Sequence, residues 1–262
     1  MLYYETLVKD ESCDWVVFIH GLGGSTLTWK KQLNDFSENH NILLLDLKGH
    51  GKSHDENDAR ECGIIDIPHD IKAVLDYLGI EKAHFVGLSL GTLVLIFYAI
   101  IYPESVLSLV MGGGVIKLDK LGQSTMWIAQ RLKKILPHTM MYPIFARVLM
   151  PNKNHAVSRK IFIRESLKMK HKEFISWVSS MNILKYADTY IEMLNNLKIP
   201  ILYIMGDEDY FFLGGVKMAV DMLNDAKLKV IEHCGHVCSI EKAKEFNKMA
   251  LAFIEQDALP AT

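Results

Sequence analysis

The chain has 262 residues, 50% of them hydrophobic, with 29 Lys and Arg set against 31 Asp and Glu for a formal charge of −2. That length suits a single α/β domain, and the composition is that of a compact protein, which argues against a disordered chain and leaves no need for a disulfide framework. No overall field is present to draw in nucleic acid or an anionic membrane, so a small neutral or amphipathic partner is expected.

Four cysteines, Cys13, Cys62, Cys234 and Cys238, are scattered through a chain large enough to fold without staples. Cys234 and Cys238 flank His236, but no second ligand pair stands at zinc-like spacing, so neither a metal nor another cofactor is expected. The start MLYYETLVKDESCDW lacks a basic stretch followed by an apolar run, as a signal peptide would need. No uncharged apolar stretch reaches the roughly 18 residues of a spanning helix. The expectation is a cytoplasmic chain with no nucleic-acid partner and no stable membrane insertion; no pattern sets an oligomeric state.

In chain order, short β-branched and aromatic runs alternate with segments of helical period. Strands are predicted at 15–20 (WVVFIH), 41–46 (NILLLD), 83–88 (AHFVGL), 106–111 (VLSLVM), 201–206 (ILYIMG) and 227–232 (KLKVIE). Their nearly continuous apolar character is that of strands covered on both faces. Crossover helices are predicted at 29–40, 65–78, 90–102, 216–224 and 243–256. From 116 to 197 no strand pattern occurs; Met- and aromatic-rich helical period is cut by Pro137, Pro143 and Pro151 into several short helices. The fold class that follows is α/β, a mostly parallel sheet flanked by helices, with residues 1–115 and 198–262 as core and 116–197 as an inserted helical cap.

Three sites along this chain could carry chemistry. Gly87-Leu88-Ser89-Leu90-Gly91 closes a strand and opens a helix, the context of a nucleophile elbow: small residues two places either side of the serine permit a strained turn that projects its hydroxyl. A glycine-rich turn with a helix-capping serine would use the same residues. His20-Gly21-Leu22-Gly23-Gly24 ends the first strong strand, where backbone N–H groups could meet an oxyanion; Leu22 and Leu90 are the natural donor pair. His20 is read as holding that loop by hydrogen bonding. Finally, Gly206-Asp207-Glu208-Asp209 closes one strand and Gly235-His236 follows the next, so Ser, Asp and His occur in the order this kind of elbow requires. Serine needs a base and the base a carboxylate to orient it. His236 supplies the first, and on chain order either Asp207 or Asp209 could supply the second.

These motifs resemble the α/β-hydrolase superfamily, in its branch of small bacterial esterases with a helical cap, over nearly the whole chain. Asp46-Leu47-Lys48-Gly49-His50-Gly51-Lys52-Ser53 is similar to that family's D-x-x-G-x-G-x-S loop, which is structural there. The resemblance implies a triad of Ser89, Asp209 and His236, because the family's acid ends a G-x-x-D run, and it implies a cap at 116–197. Relatives with a catalytic Asp at the position of Ser89, such as haloalkane dehalogenases, are set aside.

The leading expectation is a carboxylesterase acting on small to medium acyl esters through an acyl-enzyme, with Trp127, Met141, Phe145, Trp177 and Phe211 lining the substrate pocket. The alternatives are a C–C bond hydrolase or lyase similar to the menaquinone-pathway enzyme of this fold, whose mark would be an Arg-lined pocket, and a non-catalytic receptor for a small ligand. The cluster Lys168, Lys170, His171 and Lys172 is read as a solvated helix face.

Overall fold

A computed structural model describes residues 1–54, 63–133 and 135–257. Its centre is a seven-stranded sheet of β1 (Tyr4–Leu7), β2 (Trp15–Ile19), β3 (Asn41–Leu45), β4 (Ala83–Leu88), β5 (Val106–Gly112), β6 (Ile201–Gly206) and β7 (Ala226–Ile231). The spatial order is β1-β3-β2-β4-β5-β6-β7; β1 runs antiparallel to β3 and every other pairing is parallel. Every residue of β3, β4 and β6 is buried, as continuous apolar runs between two helical layers require.

The helices are α1 (Leu33–Phe36), α2 (Ile67–Leu78), α3 (Leu90–Ile101), α4 (Lys120–Leu132), α5 (His138–Leu149), α6 (Ala156–Ser166), α7 (His171–Ser180), α8 (Ala187–Asn195), α9 (Leu213–Val220), α10 (Cys238–Glu241) and α11 (Ala243–Asp257). On the core, α2 and α8 each pack against α3, while α1 and α11 pack together and α11 lies against β5, β6 and β7. The unbroken segment α4 to α8 connects β5 to β6.

Three expectations change. The strand Tyr4–Leu7 has no readable pattern because it is a largely exposed edge, held by its pairing to β3. The helix expected at 29–40 is a 3-10 turn, Thr26–Trp29, followed by the single turn α1. Pro143 does not divide two helices but sits inside α5; the carbonyl of Thr139, four residues earlier, loses its amide partner on an exposed residue that water can reach.

The strand order reverses between β2 and β4: the chain leaves β2 to one side for β3 and later returns on the other side for β4. The carboxyl ends of β2 and β4 are therefore neighbours with a crevice above them, where open α/β sheets bind ligands. The glycine-rich loop after His20 and the turn at Ser89 both leave from this point.

Candidate active site

Ser89 occupies φ 52° and ψ −119°, a left-handed conformation that costs a non-glycine residue about 1–3 kcal/mol. Close packing holds it there. A Cβ on Gly91 would lie 2.3 Å from the Ile19 carbonyl oxygen, which excludes a side chain there, and one on Gly87 would press tightly on the Thr92 amide at 3.0 Å. The Ser89 amide donates to the Gly112 carbonyl at 2.9 Å, and Thr92 Oγ1 donates to the Ser89 carbonyl at 2.7 Å while accepting the Val115 amide at 2.8 Å. The turn is thus fastened to the end of β5, and the half-buried hydroxyl stands at the N-terminus of α3.

His236 Nε2 lies 2.7 Å from Ser89 Oγ, and His236 Nδ1 lies 2.7 Å from Asp209 Oδ2. Asp209 Oδ1 accepts the Phe212 amide at 3.1 Å, which sets the carboxylate plane. Both His236 and Asp209 are fully buried, and the Phe212 ring covers the imidazole at 5.1 Å. With Asp209 accepting from Nδ1, the Nε2 lone pair is left for the serine proton. Asp207, the alternative acid, is exposed and accepts the Cys234 amide at 3.1 Å, tying the turn after β6 to the one after β7.

His20 is buried with its imidazole spent on backbone: Nδ1 meets the Gly21 carbonyl at 2.8 Å and Nε2 accepts the Leu47 amide at 3.0 Å. Burial lowers its pKa and favours this neutral form. Asp46 holds the neighbouring loop by accepting the Thr26 amide at 2.6 Å and the Lys52 amide at 2.8 Å. The Leu22 loop has a further support that sequence reasoning did not assign. Tyr142 of α5 is fully buried and donates its hydroxyl to the Leu22 carbonyl. Gly23, at φ +74°, packs so closely that a Cβ there would meet the Tyr142 hydroxyl at 2.4 Å.

A narrow pocket with about 30 Å³ of free volume opens over Ser89 and His236. Its walls are Leu22, Val237 and Ile240 from the core and Ser158, Ile161, Phe162 and Glu165 from α6. Neither Lys nor Arg takes part in this lining. Glu165 is the carboxylate of the wall; burial pushes its pKa up, but hydrogen bonds from Lys168 and Arg164 outweigh this and hold it low.

None of the five expected lining residues belongs to this pocket. Trp127 is exposed under the Arg131 guanidinium, Met141 is buried in the core, and Phe145 packs edge-on against Phe211 at 6.3 Å. Phe211 in turn backs Phe212, and Trp177 is fully buried with its indole N–H donated to the Lys48 carbonyl at 3.0 Å. Helical period distinguishes inward from outward faces but not which of the helices between β5 and β6 crosses the crevice. The spacing 158, 161, 162, 165, an i, i+3, i+4, i+7 face on α6, was the available signal.

A buried cluster ties α6 to the turns after β6 and β7. Fully buried His155 meets Glu208 Oε2 at 2.7 Å and lies 3.8 Å from Glu241 Oε2, while Glu241 also accepts the Gly235 amide and the Ser158 hydroxyl, each at 2.7 Å. Glu208 is held down to about 2, chiefly by the Asn154 side-chain amide. Cys234 and Cys238 are buried thiols whose pKa values burial raises, that of Cys238 to about 12. Cys62 lies outside the described residues. Among the described residues no group of three His, Cys, Asp or Glu is disposed to hold a metal, and no helix is long and apolar enough to cross a membrane.

This sheet, its elbow and the crevice define the α/β-hydrolase fold, and a family model described by that name matches residues 14–141. The chain has the α/β-hydrolase fold, and the comparisons support its place among the hydrolases of that superfamily. It is similar to the 2-hydroxy-6-oxononadienedioate/2-hydroxy-6-oxononatrienedioate hydrolase of Paraburkholderia phymatum, at 29% identity over 92% of this chain and 87% of that protein. The 2-hydroxy-6-oxo-6-phenylhexa-2,4-dienoate hydrolase of Comamonas testosteroni is 26% identical over 98% and 92%. Among solved structures, MGS-M2, an alpha/beta hydrolase enzyme from a Medee basin deep-sea metagenome library, superposes with a TM-score of 0.81 at 25% identity, covering 100% of this chain and 96% of that one.

Proposed function

We propose that this hydrolase is a serine carboxylesterase for small to medium acyl esters, with Ser89 as nucleophile, His236 as general base and Asp209 as the group that orients it. The observation that carries the reading is the hydrogen-bonded series Ser89–His236–Asp209, with both links at 2.7 Å, beneath an apolar-walled pocket. Ser89 Oγ attacks the ester carbonyl as His236 Nε2 takes its proton; the imidazolium so formed keeps its Nδ1–H on Asp209. The Leu22 and Leu90 amides hold the oxyanion, helped by the N-terminus of α3. His236 then gives its proton to the departing alcohol, and water, activated by the same nitrogen, frees the acid from the acyl-enzyme. Residues 116–197 act as the cap, with α6 closing the acyl side.

The named relatives favour a second reading, hydrolysis of an oxo-dienoate. A dioate carries two carboxylates, and this wall presents no Lys or Arg of its own to bind them, since Arg164 and Lys168 are already paired with Glu165. A neutral ester needs no such cation, so the ester reading ranks first. The test is hydrolysis of a p-nitrophenyl ester series of rising acyl length, alongside a 2-hydroxy-6-oxo-dienoate, by the protein and by Ser89→Ala. Ester turnover that falls by about 10⁴-fold or more in the variant supports the proposal. Turnover of the dienoate with no Ser89-dependent ester hydrolysis would transfer the site to the second reading.

A further inference from the structure

Charge is distributed unevenly along this chain. Residues 120–164 contain nine Lys and Arg and no Asp or Glu, which leaves 20 basic residues against all 31 acidic ones elsewhere, a balance of −11. A formal charge of −2 therefore conceals a cationic segment on an acidic body. The acids that bound the segment are engaged locally: Asp119 caps α4 by accepting the Gly122 amide at 2.8 Å, and Glu165 pairs with Arg164 at 2.9 Å and Lys168 at 2.5 Å.

The same segment turns large apolar side chains outward. On α4 these are Trp127, Ile128 and Leu132, Ile135 follows in the turn, and on α5 Met140, Ile144 and Val148 recur at i, i+4 and i+8. All are between 38% and 78% exposed. The core does not need them, because Met141, Tyr142, Ala146 and Leu149 supply the buried face of α5. Scattered exposed hydrophobics need no explanation, whereas six on two consecutive helices and a seventh in the turn between them do. Cations are interleaved with them: Arg131 lies over the Trp127 ring at 4.8 Å, and exposed Arg147 precedes Val148.

An apolar stripe with an indole, flanking cations and no carboxylate suits a helix lying in the interface of an anionic bilayer. It does not suit a second copy of the chain, since pairing this face with itself would oppose cation to cation with no acid to compensate. We propose that the α4–α5 face docks the protein peripherally on anionic lipid surfaces, its apolar residues entering the headgroup region and Arg131 and Arg147 meeting lipid phosphates. Such docking requires no spanning helix, and it holds whatever reaction Ser89 performs.

The test is co-sedimentation with phosphatidylcholine vesicles made with and without phosphatidylglycerol. The protein is expected to bind the anionic vesicles at least about tenfold more tightly, and salt is expected to weaken that binding. Ile128→Ser with Ile144→Ser, and separately Arg131→Glu with Arg147→Glu, should each reduce binding about tenfold while leaving the melting temperature and turnover of a water-soluble ester unchanged. Failure to bind anionic vesicles, equal affinity for both compositions, or undiminished binding by both variants overturns the proposal. A dimer seen by light scattering that the serine variant dissociates, without vesicle binding, gives the face to a second copy and overturns it as well.

Discussion

Asp209→Asn should nearly abolish turnover while leaving the fold intact. The carboxylate accepts two hydrogen bonds, from the Phe212 amide at 3.1 Å and from His236 Nδ1 at 2.7 Å, and all of it is buried. An asparagine has one oxygen for these two donors. If its oxygen serves the Phe212 amide, its NH₂ faces Nδ1 and drives the imidazole proton onto Nε2, so Ser89 Oγ loses its acceptor. Such a tautomer reversal costs about 10⁴ in kcat, equivalent to about 5.5 kcal/mol of transition-state stabilisation. The volume is unchanged, so the stability cost should be only about 1–3 kcal/mol for the weakened buried bonds. The assay is steady-state hydrolysis of the preferred p-nitrophenyl ester, with thermal unfolding on the same samples and Asp207→Asn as control. Asp207 is exposed and holds only the Cys234 amide, so its variant should stay within about tenfold of the parent. A loss below tenfold in Asp209→Asn, or an equal loss in Asp207→Asn, would refute the assignment of the acid.

Tyr142→Phe removes the hydroxyl that holds the Leu22 carbonyl without changing the ring volume; kcat should fall about tenfold with KM little altered, because one oxyanion donor is worth about 10²–10³ and here it is loosened, not lost. A rise in KM at constant kcat would mean instead that Tyr142 shapes the pocket. The buried histidines set an acid limit to stability. His84 is lowered to about 4, first by burial, so it is neutral in the fold yet titrates near 6.5 when unfolded. Between those values the unfolded chain binds more protons; stability is complete above about pH 6.5 and falls by up to about 3 kcal/mol as the pH drops towards 4. His20 and His50, also lowered by burial, act in the same direction. In urea unfolding at pH 7 and pH 4.5, His84→Asn should show a smaller difference than the parent, and an identical difference would exclude His84 as a contributor.

How much of this was legible beforehand depended on the range of the interactions. β4, α3 and the turn between them were readable because their constraints are local: an apolar run, small residues at 87 and 91, and an apolar helix follow one another within twenty residues. β1 was not, since an edge strand of four residues is defined by its partner and not by its own pattern. The pocket wall was not, since the rotation and placement of α6 over the crevice depend on contacts such as His155 with Glu208, 53 residues apart.

By itself the sequence determined the α/β alternation, the chain order of Ser, Asp and His, and the charge asymmetry of residues 120–164, because each is a property of residue type and spacing along one dimension. Only the tertiary structure decided which residues line the pocket and that Trp127 points to solvent, and it set Asp209, which the G-x-x-D resemblance implied, against His236 while Asp207 faces the Cys234 amide. Two carboxylates on one turn differ by the direction in which the folded backbone aims them, and direction arises only when distant segments pack.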